Sequence, residues 1–178
     1  MPDRPLRWIH KHRWLSGACT VVLVVVLGVA ATPYLSAFGT TDGWQGYGNG
    51  MMPASKLCRI AGGHKLRCDA AAAYGALAKG YEAHFGKELC ITDSYRPYRA
   101  QVDLIRRKPG LGAFPGTSNH GWGVAVDLCD GINDFGTPEH LWMQANAEAY
   151  GWVNPEWARE GGSRQEPWHW EFVLGAGR

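Results

Sequence analysis

The chain of 178 residues has little net charge, and its basic excess lies at one end. Of its 18 Lys and Arg and 16 Asp and Glu, the first 40 residues hold four basic and one acidic residue, which leaves 14 basic and 15 acidic residues for the remainder. Proteins that bind nucleic acid concentrate Lys and Arg on one face of the domain. This near-neutral remainder therefore argues against a nucleic-acid partner.

Charge is absent altogether from Leu15 to Phe38, which follow a basic stretch at 4–13. About 20 apolar residues span a bilayer, and a basic stretch before an apolar one is also typical of a secretory signal. Residues 1–38 are therefore predicted to form either a cleaved signal peptide or an N-terminal membrane anchor. The basic flank places the N-terminus in the cytoplasm. We expect the rest to be secreted or to lie on the extracellular face of the cytoplasmic membrane.

The chain lacks any C-x-x-C pair, which argues against a four-cysteine zinc site. Beyond Cys19, four cysteines remain, and an even number in an exported domain is typical of disulfides. Three pairings are possible. We favour Cys58 with Cys68, which closes a short loop, and Cys90 with Cys129, which joins two predicted strands.

No internal repeat is present, and a Gly-rich, aperiodic stretch at 39–55 is predicted to be a flexible linker. The domain is then predicted to cover residues 56–178. Such short elements in so small a domain favour an α+β fold, in which helices flank a small antiparallel sheet. Periodicity and turn residues predict helices over 69–85, 97–107 and 137–151, and strands over 88–92, 123–129 and 168–173.

The stretch 116–128 combines a strand with two side chains that can bind a metal. Alternate residues of the predicted strand enter the core, while Gly123, Ala125 and Asp127 share the opposite face. His120 precedes the strand, where a turn can bring its imidazole towards Asp127. One nitrogen and one oxygen ligand can then meet at a zinc ion.

The predicted strand 168–173 presents aromatic residues on one face and His169 and Glu171 on the other. Pro167 is expected to bend the chain ahead of this strand, so that Glu166 approaches the metal without binding it. There Glu166 can accept a proton from water.

Together the two stretches supply three ligands, His120, Asp127 and His169. Three protein ligands leave a fourth position for water, as catalytic zinc sites require. A third stretch, 92–101, opens a helix and carries Arg96 and Arg99. Either arginine can provide a fixed positive charge for a substrate carboxylate or a developing oxyanion.

These stretches resemble the VanY-type D-alanyl-D-alanine carboxypeptidases, which belong to a larger group with lysostaphin-type enzymes and the hedgehog signalling domain. Residues 118–127 match the pattern S-x-H-x-x-G-x-A-x-D, residues 166–169 match E-x-W-H, and residues 93–101 resemble the S-x-Y-R…Q segment. The resemblance spans roughly residues 89–173. It implies a hedgehog- or D,D-peptidase-like fold in which the small antiparallel sheet carries the zinc site. It implies Zn²⁺ held by His120, Asp127 and His169.

The resemblance also implies roles for four further residues. Glu166 would be the general base, and Arg96 would steady the tetrahedral intermediate. Ser118 and Gln101 would contact the terminus of the substrate. Glu171 departs from the family, because many members carry a basic residue there, and its carboxylate can alter the charge of the site.

We therefore expect a monomeric zinc metallopeptidase that cleaves peptidoglycan stem peptides, as a D,D-carboxypeptidase removing terminal D-Ala. The membrane is a further partner if the N-terminal segment stays uncleaved. One alternative is an endopeptidase that cuts the L-Ala-D-Glu bond or a cross-bridge. Another is a non-catalytic zinc module that binds the cell wall or a partner, although such a module has no need of a base at Glu166.

Overall fold

The computed structural model describes residues 44–110 and 112–173. Within these ranges, no helix is both long and apolar enough to cross a membrane. The predicted signal peptide or anchor at 1–38 lies outside the described residues. The strands and helices, numbered in chain order, are β1 (Leu57–Arg59), β2 (Lys65–Arg67), α1 (Cys68–Phe85), β3 (Ile91–Asp93), α2 (Tyr98–Arg107), β4 (Ala125–Leu128), α3 (Pro138–Asn146), β5 (Trp152–Val153) and β6 (His169–Phe172).

Four of these strands form an antiparallel sheet in the order β3-β4-β6-β5, and β1 and β2 form a separate hairpin. Strands β4 and β6 are neighbours in the sheet although about 40 residues separate them in sequence. The predicted α+β fold with a small antiparallel sheet is confirmed.

The hydrophobic core lies on one face of this sheet. Val126 of β4 is fully buried, and its cross-strand partner Trp170 of β6 is 1% exposed. Leu77 of α1 and Met143 of α3 belong to the same buried cluster. Burying a large apolar side chain stabilises the fold by about 1.5–3 kcal/mol. The cluster thus determines which face of β4 and β6 turns inward, and the alternate residues face the other way.

Helix α1 closely follows its predicted bounds of 69–85. Tyr74, Leu77 and Tyr81 recur at helical spacing and are buried against the sheet. The helix ends where Gly86 adopts a φ of 68°, a left-handed conformation that glycine takes without steric cost.

All three predicted strands are shorter in the structure, and the local backbone explains where β4 begins. Strand β4 starts at Ala125 instead of residue 123, because residues 119–122 form a 3₁₀ helix that ends at Gly123. Strand β3 starts at Ile91 instead of residue 88, and its register with β4 shifts before Asp93. Strands β1, β2 and β5 are not predicted, because two or three residues are too few for periodicity to be recognised.

Residues 44–52 pack onto the domain, which corrects the predicted linker at 39–55 over this part. The Gly50 N–H donates to the Gly121 carbonyl at 2.8 Å, and the Gly50 carbonyl accepts from the Tyr98 N–H at 3.0 Å. A Cβ atom at Gly50 would overlap the Tyr98 backbone. Glycine at position 50 permits close contact between this stretch and the backbone of Tyr98. Composition alone cannot distinguish a glycine needed for close packing from a glycine in a flexible linker. We call residues 44–52 the N-terminal strap.

Both favoured disulfides are present. Cys58–Cys68 joins β1 to the start of α1, and Cys90–Cys129 joins the residue just before β3 to the residue just after β4. The second bond lies close to Asp127, because Cys129 follows it by two residues. The predicted pairing is confirmed.

Removing either disulfide should destabilise the domain, and the longer loop should matter more. A disulfide restricts the unfolded chain in proportion to the logarithm of its loop length, and the sequence separations are 10 and 39 residues. We expect a loss of about 3 kcal/mol for Cys58→Ala with Cys68→Ala, and about 4 kcal/mol for Cys90→Ala with Cys129→Ala. Urea unfolding measures both losses, and a larger loss for the shorter loop would contradict the expectation.

Candidate metal centre

His120, Asp127 and His169 place one potential ligand atom each within 4.8 Å of one another. His120 lies on the 3₁₀ turn before β4, Asp127 on β4 and His169 on β6. Asp127 and His169 are cross-strand partners, so their side chains leave the same face of the sheet. Asp127 Oδ1 is 3.3 Å from His120 Nε2 and 2.9 Å from His169 Nδ1. The structure brings together the three residues predicted as ligands.

A backbone carbonyl group orients the imidazole of His120 through a hydrogen bond to its Nδ1 atom. Its Nδ1 lies 2.8 Å from the Ser94 carbonyl oxygen, which can only accept a hydrogen bond, so Nδ1 carries the proton. In the neutral ring, Nε2 then has a free lone pair, and this atom faces Asp127. The surroundings thus select the tautomer that a metal ligand needs.

Asp127 and His169 have strongly shifted pKa values. Burial opposes the charge of Asp127, but its interactions with the imidazoles of His120 and His169 outweigh burial and hold the pKa of this carboxyl well below its usual range. Burial would lower the pKa of His169, but hydrogen bonds with Asp127 and Glu171 raise it to about 9. A metal ion that binds His169 at neutral pH must therefore displace a proton, so metal affinity should fall as the pH falls.

The donor set fits zinc. Two imidazole nitrogens with one carboxylate oxygen suit Zn²⁺, whereas Ca²⁺ and Mg²⁺ prefer oxygen ligands alone. Tetrahedral ligands at about 2.0–2.2 Å from an ion lie roughly 3.3–3.6 Å apart. The separations of 3.3 and 2.9 Å from Asp127 Oδ1 are near this range. Three ligands leave one position open.

Glu166 lies at the turn before β6, beside the cluster. Burial raises the pKa of its carboxyl, and the charges of His169 and Asp127 also act on it. The Glu166 backbone is fixed, because its N–H donates to the Ala158 carbonyl at 2.8 Å and its carbonyl accepts from the His169 N–H at 3.0 Å. The structure therefore fixes the backbone of Glu166 beside that of His169, at the turn that contains Pro167.

Arg96 lies between two carboxylates. Asp93 and Asp127 are cross-strand partners, an arrangement of like charges that is unfavourable by itself. The Arg96 guanidinium binds Asp93 through Nε at 3.0 Å and through Nη2, and Nη2 lies 4.0 Å from Asp127 Oδ2. Its Nη1 donates to Gln101 Oε1 at 2.8 Å. This network fixes a positive charge at the edge of the cluster.

The structure corrects the expected role of Gln101 and specifies that of Ser118. Gln101 is 2% exposed, and both ends of its amide are engaged, because Oε1 accepts from Arg96 and Nε2 donates to the Ala113 carbonyl at 2.7 Å. Gln101 thus supports Arg96 instead of facing a substrate. The Ser118 hydroxyl accepts from the His120 N–H at 3.3 Å and caps the turn.

Two further residues hold the turn around His169, and the sequence gives no signal for either. Asn154 is 4% exposed, and its Nδ2 donates to the carbonyls of Glu166 and His169 at 3.2 and 2.7 Å. The ring of Trp157 packs on His169 with centroids 5.1 Å apart. A single Asn or Trp outside an α-helix or strand follows no periodic pattern, so only the fold reveals its position.

Asn49 of the strap is a third residue that sequence analysis misses. It is 9% exposed, and its Nδ2 donates to the Ser118 carbonyl at 2.7 Å. A Cβ atom at Gly121 would overlap the Asn49 amide. Asn49 therefore packs directly on the turn that carries His120.

The family model of the VanY D-alanyl-D-alanine carboxypeptidases matches residues 63–175. The chain belongs to this family. This confirms the family that the motifs at 93–101, 118–127 and 166–169 predict.

One curated relative is a D-alanyl-D-alanine carboxypeptidase of Enterococcus faecalis, 29% identical over 108 residues. The match covers 56% of this chain and 40% of that protein, so the chain matches less than half of its relative's length.

Two solved structures share the fold at 25% identity. A mutant of the vancomycin-resistance D,D-pentapeptidase VanY in complex with Zn(II) gives a TM-score of 0.52 over 68% of this chain and 82% of its own. The LdcB LD-carboxypeptidase gives a TM-score of 0.55 over 70% of this chain and 71% of its own.

The contact between Asn49 and Gly121 yields a prediction for a double-mutant cycle. Asn49→Ala should cost about 0.5–1.5 kcal/mol, because the Ser118 carbonyl loses one of its two donors and keeps the Gly121 N–H. Gly121→Ala should cost about 1–3 kcal/mol through overlap with the Asn49 amide. Since Asn49→Ala removes that overlap, the double variant should lose at least about 0.5 kcal/mol less than the sum of the single losses.

Denaturant unfolding of the four proteins measures this coupling. Strict additivity would show that the strap and the His120 turn are energetically independent, in conflict with the observed packing.

Proposed function

We propose that the chain is a zinc-dependent peptidase that removes the terminal D-Ala from peptidoglycan stem peptides. The observation that carries the proposal is the cluster of His120, Asp127 and His169 with Glu166 beside it, in a member of the VanY family. The Zn(II) complex of the VanY relative supports the choice of metal.

His120, Asp127 and His169 would hold the ion, each through the atom that faces the cluster. When bound, zinc supplies the Lewis acidity that makes water nucleophilic near neutral pH. The role of this chain's own residues is to fix the ligand atoms before the substrate arrives, so that little reorganisation accompanies the reaction.

Glu166 would act as the general base. A base is most effective when its pKa lies closer to the working pH than that of an ordinary carboxyl, and burial raises the pKa of Glu166 in this direction. Its carboxylate would accept the proton of the attacking water and return it to the amine of the departing D-Ala. The backbone hydrogen bonds to Ala158 and His169 would fix the main chain from which this side chain projects.

Arg96 would stabilise the negative charge that develops on the scissile carbonyl oxygen. Its guanidinium is 12% exposed and lies 4.0 Å from Asp127, at the edge of the cluster. A charge fixed in advance by Asp93 and Gln101 needs little reorganisation in the transition state.

The compartment and assembly are also part of the proposal. Two disulfides suit an oxidising compartment, in agreement with secretion or display on the extracellular face of the membrane. We propose that the domain acts there as a monomer on the cell wall.

Glu166→Gln should leave zinc binding intact and reduce turnover by about 10²–10⁴-fold, the usual contribution of a general base. The matched control is Glu160→Gln, an exposed carboxylate in the same segment. Zinc content per chain and release of D-Ala from a synthetic stem pentapeptide measure the two effects. Full activity of Glu166→Gln would remove Glu166 from this role.

Mass spectrometry of muropeptide digests separates the candidate bonds. Loss of one D-Ala from pentapeptides is the expected result, and loss from tetrapeptides would indicate the LD specificity named for the LdcB relative. Internal cleavage would favour the endopeptidase alternative. Binding to sacculi without any cleavage by the zinc-loaded protein would favour the non-catalytic module.

A further inference from the structure

Glu171 lies on the same face of β6 as His169, two residues further along. Its Oε1 is 3.0 Å from His169 Nε2. Its side chain is 16% exposed. Its cross-strand partner on β4 is Ala125, a small residue that leaves space for the carboxylate on this face.

The two ring nitrogens of His169 have different partners. Nδ1 faces Asp127 Oδ1 at 2.9 Å and thus points into the cluster, whereas Nε2 points away from it to Glu171. A neutral imidazole carries one proton. If Nδ1 binds the metal, the proton must be on Nε2, and Glu171 is its acceptor.

The two histidines are therefore supported differently. The remote nitrogen of His120 donates to a neutral carbonyl, that of Ser94, whereas the remote nitrogen of His169 meets a carboxylate. A carboxylate behind a metal-binding histidine orients the ring and increases its basicity.

We propose that Glu171 is a positioning residue for the metal site, which fixes His169 as an Nδ1 ligand with its proton on Nε2. The inference rests on the proposed function, because it needs the cluster to bind zinc. Glu171 acts through His169 and does not itself bind the ion.

Zinc affinity of the full chain, measured by competition with a chromophoric chelator, tests the inference. Glu171→Ala should weaken zinc binding about 10–100-fold, as expected for loss of such a partner. Glu171→Gln keeps an acceptor without charge, so its loss should be smaller. Glu160→Gln should bind zinc like the wild type. An affinity of Glu171→Ala within about twofold of the wild type would overturn the inference.

A spectroscopic measurement separates this role from a general loss of structure. In long-range ¹H–¹⁵N spectra of the zinc-loaded chain, His169 should show a proton on Nε2 and a metal-bound Nδ1, with the signals assigned by a His169→Gln variant. Zinc bound through Nε2 would overturn the inference.

Thermal unfolding provides the folding control, and the transitions of Glu171→Gln and Glu171→Ala should stay cooperative. A folded Glu171→Gln variant with reduced zinc affinity supports the inference even if Glu171→Ala fails to fold.

The two proposals fail in different ways. If the wild-type chain binds no zinc, the proposed function fails and the inference fails with it. If the wild type binds zinc and Glu166 is required for cleavage, yet Glu171→Ala binds zinc equally well, only the role of Glu171 is lost.

Discussion

The pairing of β4 with β6 is the interaction on which the candidate metal centre depends. In this register Val126 meets Trp170 on the buried face, and Asp127 meets His169 on the other. A slip of one residue would exchange the faces, burying the two polar side chains and exposing the apolar pair. The apolar core therefore aligns two ligands that lie 42 residues apart in sequence, and the ligands need no mutual attraction to find one another.

The third ligand depends on segments that do not belong to this pair of strands. His120 is held by the Ser94 carbonyl, which follows β3, and its turn is packed against Asn49 of the strap. Each contact is a hydrogen bond to a backbone group, so the ligand geometry follows from the path of the main chain. The centre is thus assembled only when strap, sheet and turn have all folded, which favours a rigid site over one that adapts to its ion.

The sequence predicts those parts of the site that local patterns carry. Alternation in β4 and β6 predicts the faces of Asp127 and His169, and the motif predicts His120 and Glu166. The sequence does not predict that the Gln101 amide is hydrogen-bonded to Arg96 and Ala113. These hydrogen bonds depend on how α2 packs against the loop that follows it. The strap has the composition of a linker, but Gly50 is needed for close packing against Tyr98. Local sequence patterns do not distinguish this use of glycine from flexibility.

The charges around the centre give a physical reason for a divalent cation. Four carboxylates lie around the site: those of Asp93 and Asp127 beside Arg96, and those of Glu166 and Glu171 near His169. Asp93 already binds two of the three guanidinium nitrogens of Arg96. Partly buried carboxylates are costly without compensating positive charge. Burial alone would lower the pKa of His169, yet the neighbouring carboxylates of Asp127 and Glu171 raise it to about 9. These carboxylates therefore favour a positive charge at this position. A zinc ion at the three ligands would satisfy the same attraction with twice the charge, so the acidity of the site works towards metal affinity.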